Sequence, residues 1–229
     1  MAATRRRRPE RREEPLSRDR IVEEAIGLLD ESGEGGLTFR ALAGRLATGP
    51  GAIYWHVTGK DELLGAATES VVAGAMSPAA ATAGATPQEA VRALAVGVFD
   101  AIDAHPWIGT QLARAPAQSP LLRIFEHLGR QVQALGVPRA AHFTAASALL
   151  NYILGVGGQN AANARDHRPG TTRAEFLGSV SASWANLDPD EYAFTRSVAD
   201  QLRDHDDREE FLAGIDLILA GITGITARR

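Results

Sequence analysis

The chain has 229 residues, 45% of them hydrophobic and 23% charged, with a net charge of −4 and no cysteine. That length supports a real core in one large domain or two small ones, and the composition is ordinary for a globular protein. It excludes disulfides and thiolate metal sites. No apolar run approaches the ~20 residues that span a bilayer. The charged N-terminus is followed by no apolar core, as a secretory signal would be, so the expected location is cytoplasmic, with no membrane partner. Alanine and glycine are abundant and strand-like alternation is scarce, which predicts an all-α fold.

Residues 1–15 are low in complexity, with Arg5-Arg6-Arg7-Arg8 and Arg11-Arg12 among glutamates. They hold nothing to bury and are expected to form a disordered basic arm. Such an arm suits contact with DNA phosphates or the minor groove, and equally suits a solvated tail. Ser17 is placed to cap a helix to about Ser32, with Ile21, Ala25, Leu28 and Leu29 as its inner stripe; Gly33, Gly35 and Gly36 end it. Leu37 to Leu64 reads LTFRALAGRLATGPGAIYWHVTGKDELL. Thr38 caps a short helix in which Leu42 and Leu46 share a face. Thr48 to Gly51 breaks it, and Pro50 opens a second helix of barely two turns. Lys60 or Asp61 opens a third. Two short helices around a glycine-bearing turn have the pattern of a helix-turn-helix.

Beyond it, Ser77 to Pro87 is a small-residue break and the best linker candidate. Pro87 to Ala104 is predicted helical, buried through Val91, Leu94, Ala95, Val98, Phe99 and Ile102. Leu121 to Leu135 follows, with Leu122 among its inner residues. Pro138 is expected to start a long Ala/Gly-rich helix to about Asn163, Thr172 to Ala185 is another, and Asp188 to about Arg203 a further one. Arg208 to Ile225 closes the chain and is apolar on more than one face, through residues such as Phe211, Ile215, Leu217 and Ile225. One stripe suffices for a surface helix, so the surplus points to a partner subunit or to deep burial. Charge divides in the same place: residues 1–60 carry +2, from eleven Arg/Lys against nine Asp/Glu, and the remainder −6, from thirteen against nineteen. A basic head on an acidic body suits DNA binding at one end.

The run from Leu37 to Leu64 resembles the DNA-binding domain of the tetracycline-repressor (TetR) family. The resemblance is carried by Leu37-Thr38, Ala41-Leu42-Ala43, Tyr54-Trp55-His56-Val57 and Lys60-Asp61-Glu62-Leu63-Leu64. It covers roughly Ser17 to Ser70. It implies a three-helix helix-turn-helix head over 16–70, joined to a larger helical body over 71–229 that binds a small molecule and dimerises. The implied partners are a palindromic double-stranded operator, a second copy of the chain and a small apolar or aromatic effector. No cofactor is expected.

By the same resemblance, Arg40 is the long donor that reaches a base, and Thr38, His56 and Lys60 contact phosphate. Arg40 also reads as a plain solvated arginine. Gly49, Pro50, Gly51 and Ala52 stand where relatives often present polar side chains, and Tyr54 joins them. Trp55 is expected to pack partly against the head, since three successive residues cannot all face the groove. In the body, Phe99, His105, Trp107, Phe125, His142, Asn151, Tyr152 and Trp184 are aromatic or polar residues on apolar helices. Each is a candidate ligand contact or a core residue. No histidine spacing supports a metal site. Gly155-Val156-Gly157-Gly158 lies inside a helical run and is no dinucleotide fingerprint, so no enzyme motif is present. Two other readings stay open: a DNA-binding protein without an effector, either architectural or controlled by a protein, and an enzyme targeted by a helix-turn-helix head.

Overall fold

The computed structural model describes residues 15–77, 84–114, 119–165 and 172–226, and among these there is no strand. The Arg5–Arg8 arm, most of the Ser77–Pro87 linker and the loops at 115–118 and 166–171 lie outside the described residues. The chain divides into two compact units, Met1–Ala67 and Thr68–Arg229.

The first unit holds α1 (Arg18–Gly36), α2 (Phe39–Arg45), α3 (Pro50–Tyr54) and the start of α4 (Lys60–Ala75). Ser17 caps α1, its hydroxyl accepting the Arg20 amide, and the helix loses regularity at Gly33, where φ is 63°. Ile21, Ala25, Leu29, Leu42, Ile53, Val57 and Leu63 are buried to within 1% and form one small core. Ion pairs brace its rim. Arg45 of α2 reaches Glu24 at 3.0 Å and Glu31 at 2.8 Å on α1, and Arg18 reaches Glu62 of α4 at 3.1 Å. Pairs this exposed each add little to stability.

The second unit contains the rest of α4, α5 (Pro87–Ala104), α6 (Trp107–Arg114), α7 (Ser119–Ala134), α8 (His142–Arg165), α9 (Arg173–Ala185), α10 (Ala193–Ser197) and α11 (Asp207–Thr226). α8 is its axis, packed against α5, α6, α7 and α11. Small residues permit that crowding. A Cβ at Gly157 would lie 3.0 Å from Ile102, and one at Gly109 would lie 3.8 Å from Gly158. By length and composition alone, the stretch containing α8 is apolar enough to cross a membrane, which the sequence reading did not anticipate. Here it is the central helix of a bundle.

Other expectations change. Pro138 does not begin a long α-helix. A 3₁₀ turn, Arg139–Ala141, comes first and α8 starts at His142. The expected helix from Asp188 to Arg203 is broken into α10 and a 3₁₀ segment, Ala199–Leu202. Asp188 explains the delayed start: its carboxylate accepts the amides of Asp190 at 2.9 Å and Glu191 at 3.1 Å, a local turn that competes with helix. Leu122 is 53% exposed, because α7 buries the stripe Leu121, Ile124, Leu128 and Val132 and leaves position 122 beside it. On α11, Leu217 is 76% and Ile225 43% exposed, while Phe211, Ile215, Leu219 and Ile222 fill the core.

Candidate nucleic-acid interface and effector cavities

The head's putting-together starts at Thr38, whose hydroxyl accepts the Ala41 amide at 3.1 Å and so starts α2. Leu42, Ala43 and Leu46 turn inward, leaving Arg40 exposed. Among the described residues Arg40 has no ion-pair partner. Ala47 then takes φ of +50°, a left-handed conformation that a non-glycine residue rarely adopts. It lets the Thr48 amide bond back to the Ala43 carbonyl at 3.0 Å and closes α2. The break therefore turns on Ala47, not on Gly49, whose φ is −85°.

Gly49 is the N-cap of α3 and offers no capping side chain; Pro50 is its first residue. Ile53 and Val57, four apart, anchor the segment in the core. That registry decides the neighbours. Tyr54 lies to one side and stacks on Phe39, centroids 4.4 Å apart and planes within 7°. Trp55 points away from Ile53 and is 90% exposed, so it does not pack on the head as expected. Tyr54 takes that role, with Phe39 as a support that the sequence reading missed. An aromatic residue at the first position of α2 was the available signal.

Gly49, Pro50 and Gly51 are exposed, while Ala52 and His56 are half-buried. Lys60, the chain's one lysine, donates from Nζ to the Glu34 carbonyl near the end of α1. Its ammonium thus has an internal partner as well as an exposed position. Glu62 accepts the Thr58 amide at 2.7 Å and the Thr58 hydroxyl at 2.8 Å, and pairs with Arg18. These contacts, the Thr58 amide foremost, pull its carboxyl from 4.5 down to about 2.

In the second unit the sequence-derived ligand residues do not converge on one cavity. Phe99 and Tyr152 both stack with Phe211, at 4.5 and 5.6 Å, tying α5, α8 and α11 together. The Tyr152 hydroxyl donates to the Phe211 carbonyl at 3.3 Å, and burial, with Glu210 second, pushes this phenol's pKa up. His105 ends α5 and meets the buried Trp107 edge-on at 6.2 Å. Phe125 and His142 line a groove of about 620 Å³ with the exposed Phe143, and the His142 Nε2 is 2.7 Å from the Val137 carbonyl. Asn151 is exposed on α8 and Trp184 is half-buried on α9. An open groove joins Phe99 to Asp100, Asp103, Arg173 and Arg208, of which Asp100 and Arg208 pair with each other and Arg173 pairs with Asp207. A mainly apolar cavity was missed. It lies among Ala75, Met76, Ser77, Ala90, Ala93, Leu94, His127 and Gln131. Most of these are ordinary aliphatic positions. The His127–Gln131 pair, four apart on α7, was the only chemical hint. Among the described residues no cluster of His, Asp or Glu suits a metal ion.

A capped helix-turn-helix with an exposed arginine, carried by a chain whose second unit is an α-helical bundle with cavities, defines a DNA-binding transcriptional regulator. Residues 21–67 match the family described as bacterial regulatory proteins, tetR family, and residues 81–225 match the tetracycline repressor-like C-terminal domain. The chain belongs to the TetR family. A TetR transcriptional regulator from Streptomyces coelicolor of known structure is 62% identical, over 92% of this chain and 99% of that one, with a TM-score of 0.84. The transcriptional repressor DrrR1 of Streptomyces coeruleorubidus is 28% identical over 97% of this chain and 83% of its own length. A helix-turn-helix regulator of Saccharopolyspora erythraea is 32% identical over 152 residues, and the match spans 64% of that relative's length.

Proposed function

We propose that the chain acts as a homodimeric repressor that leaves a two-fold operator when a small, mainly apolar molecule enters the second unit. The observation that carries this reading is the course of α4. It opens at Lys60 beside the helix-turn-helix, runs unbroken to Ala75, and Ala75 with the two residues after it lines the mainly apolar cavity. A molecule lodged there presses on Ala75, Met76 and Ser77. It changes operator affinity to the extent that it binds the two positions of α4 unequally. The cavity's aliphatic wall, with His127 and Gln131 at one side, suits an uncharged molecule with a single polar end. Asn151 and the other sequence candidates then serve packing or assembly.

The operator contacts assigned are Arg40 to a base, Thr38, His56 and Lys60 to phosphates, and Gly49–Ala52, Tyr54 and Trp55 along the groove. Lys60 would exchange the Glu34 carbonyl for a phosphate. Dimerisation is assigned to α8 and α11. Thr144, Ala148, Asn151 and Gly155 are exposed along one, and Ala213, Leu217, Ala220 and Gly221 along the other. Small residues spaced in this way let two helix pairs close into a four-helix bundle. Leu217→Arg is expected to give monomers in sedimentation; a dimer of unchanged affinity would sink this interface.

The test of function is fluorescence anisotropy against DNA flanking the chain's own gene, beside scrambled DNA at two salt concentrations. Specific binding lost in an Arg40→Ala, Lys60→Ala variant is expected. Equal and strongly salt-dependent binding to both DNAs would reduce the protein to non-specific phosphate attraction. With an operator in hand, Ala93→Phe, which fills the cavity, should keep operator binding and abolish release by any effector found. Release that survives the substitution moves the effector elsewhere.

A further inference from the structure

We infer that α3 reads its operator by close approach of a bare helix surface to thymine methyl groups, with Arg40 the one side chain that selects by hydrogen bonding. This rests on the reading that the head binds a sequence-specific operator. α3 is five residues long and begins Gly49-Pro50-Gly51-Ala52. None of these side chains can donate or accept a hydrogen bond, so none can follow the donor–acceptor code of the major groove. Neither glycine is required by the backbone. Gly49 has φ of −85°, and Gly51 is absent from the positive-φ residues. Neither is required by packing, because a Cβ on either meets nothing in the chain within 4 Å. Gly97 and Gly214 are the contrast: a Cβ there would strike Ala75 at 2.4 Å and Tyr152 at 1.8 Å. Gly49 suits an N-cap, but Gly51 lies inside α3, where glycine weakens a helix, so its use there needs another reason. The space left open lies outside the protein, where this surface faces its partner.

The chemistry of that partner follows. Of the four bases, thymine alone shows an apolar group in the major groove, its C5 methyl. The exposed Pro50 ring and the half-buried Ala52 methyl are the apolar groups available to meet it. The Tyr54 ring adds to the same surface and is held in place by its stack on Phe39. Arg40, exposed and without an ion-pair partner among the described residues, supplies the hydrogen-bonding contact.

The experiment is binding-site selection by the full-length protein from a pool of random duplexes, run in parallel with thymine and with uracil. Uracil pairs identically and lacks only the methyl. The expected result is a two-fold motif with thymines in each half-site that disappears from the uracil pool. On the selected duplex, each thymine-to-uracil change at those positions should weaken binding about fourfold, the worth of one buried methyl group. Gly51→Ala should leave thermal stability equal or raised and weaken binding about tenfold or more, since the added methyl occupies the approach. The same motif enriched from both pools, or full-strength binding by Gly51→Ala, would overturn the inference while leaving the operator reading intact. Enrichment of no sequence from either pool would overturn both.

Discussion

Ala47 is the residue at which the head's geometry costs most. Its φ of +50° is needed for the Thr48–Ala43 hydrogen bond, and a Cβ is a handicap there. Ala47→Gly should therefore stabilise the protein by roughly 0.5–1 kcal/mol, read as a shifted denaturation midpoint. A glycine variant less stable than the parent would mean the turn does not carry this strain. Glu62 behaves differently. Its carboxyl is held near 2 in the fold against an ordinary 4.5, so its contribution is present above about 4.5 and is lost as pH falls toward 2. The gap in denaturation midpoint between parent and Glu62→Gln should thus be level at neutral pH and close on acidification through that window. A gap that widened in acid would contradict the assignment of Thr58 as its main partner. At this scale the caps were legible, since Ser17 and Thr38 both accept the amide three residues on. Trp55 was not. Its exposure depends on Ile53 and Val57 winning the inward face, and on Phe39 offering Tyr54 a ring, which no single helix pattern records.

At the scale of elements, periodicity located α1, α5, α7 and α9 because each buries a continuous stripe or opens with a strong cap. α5 and α9 both carry capping boxes, Thr86 with Glu89 and Thr172 with Glu175. It failed after Asp188, where a side chain satisfies backbone amides and removes the reason to be helical. The ligand candidates dispersed for a related reason. An aromatic residue on an apolar helix is equally suited to a cavity wall and to a neighbouring ring, and Phe99 and Tyr152 found the ring of Phe211. That stack depends on a notch. The Tyr152 hydroxyl lies 1.8 Å from where a Cβ on Gly214 would sit, so Tyr152 can hold this position only with glycine there. Gly214→Ala should destabilise by about 1–3 kcal/mol, as overpacking does. In a Tyr152→Ala background the same change should cost much less, a non-additivity that a double-mutant cycle measures. Equal costs in both backgrounds would show that the notch is irrelevant.

At the scale of the whole molecule, the proposed regulation depends on what holds the end of α4. Glu69 pairs with Arg123 of α7, and the Ala75 carbonyl lies against α5 at Gly97. The second contact is backbone on backbone. A Cβ at Gly97 would fall 2.4 Å from the Ala75 oxygen, with no flexible side chain to yield. α5 is a long helix buried through Val91, Leu94, Ala95, Val98 and Phe99, whereas α4 ends at Ala75. The weaker partner moves, so Gly97→Ala displaces the end of α4 in the absence of any ligand. If α4 carries the state of the cavity to the head, this substitution imitates an effector. Operator affinity should fall about 5- to 150-fold, the usual range of allosteric coupling, while the dimer and the thermal transition persist. Operator binding at parental strength by a folded, dimeric Gly97→Ala protein would break the link between α4 and the head. Binding that tightens instead would keep the link and reverse its sign, giving a protein in which the filled cavity favours the operator.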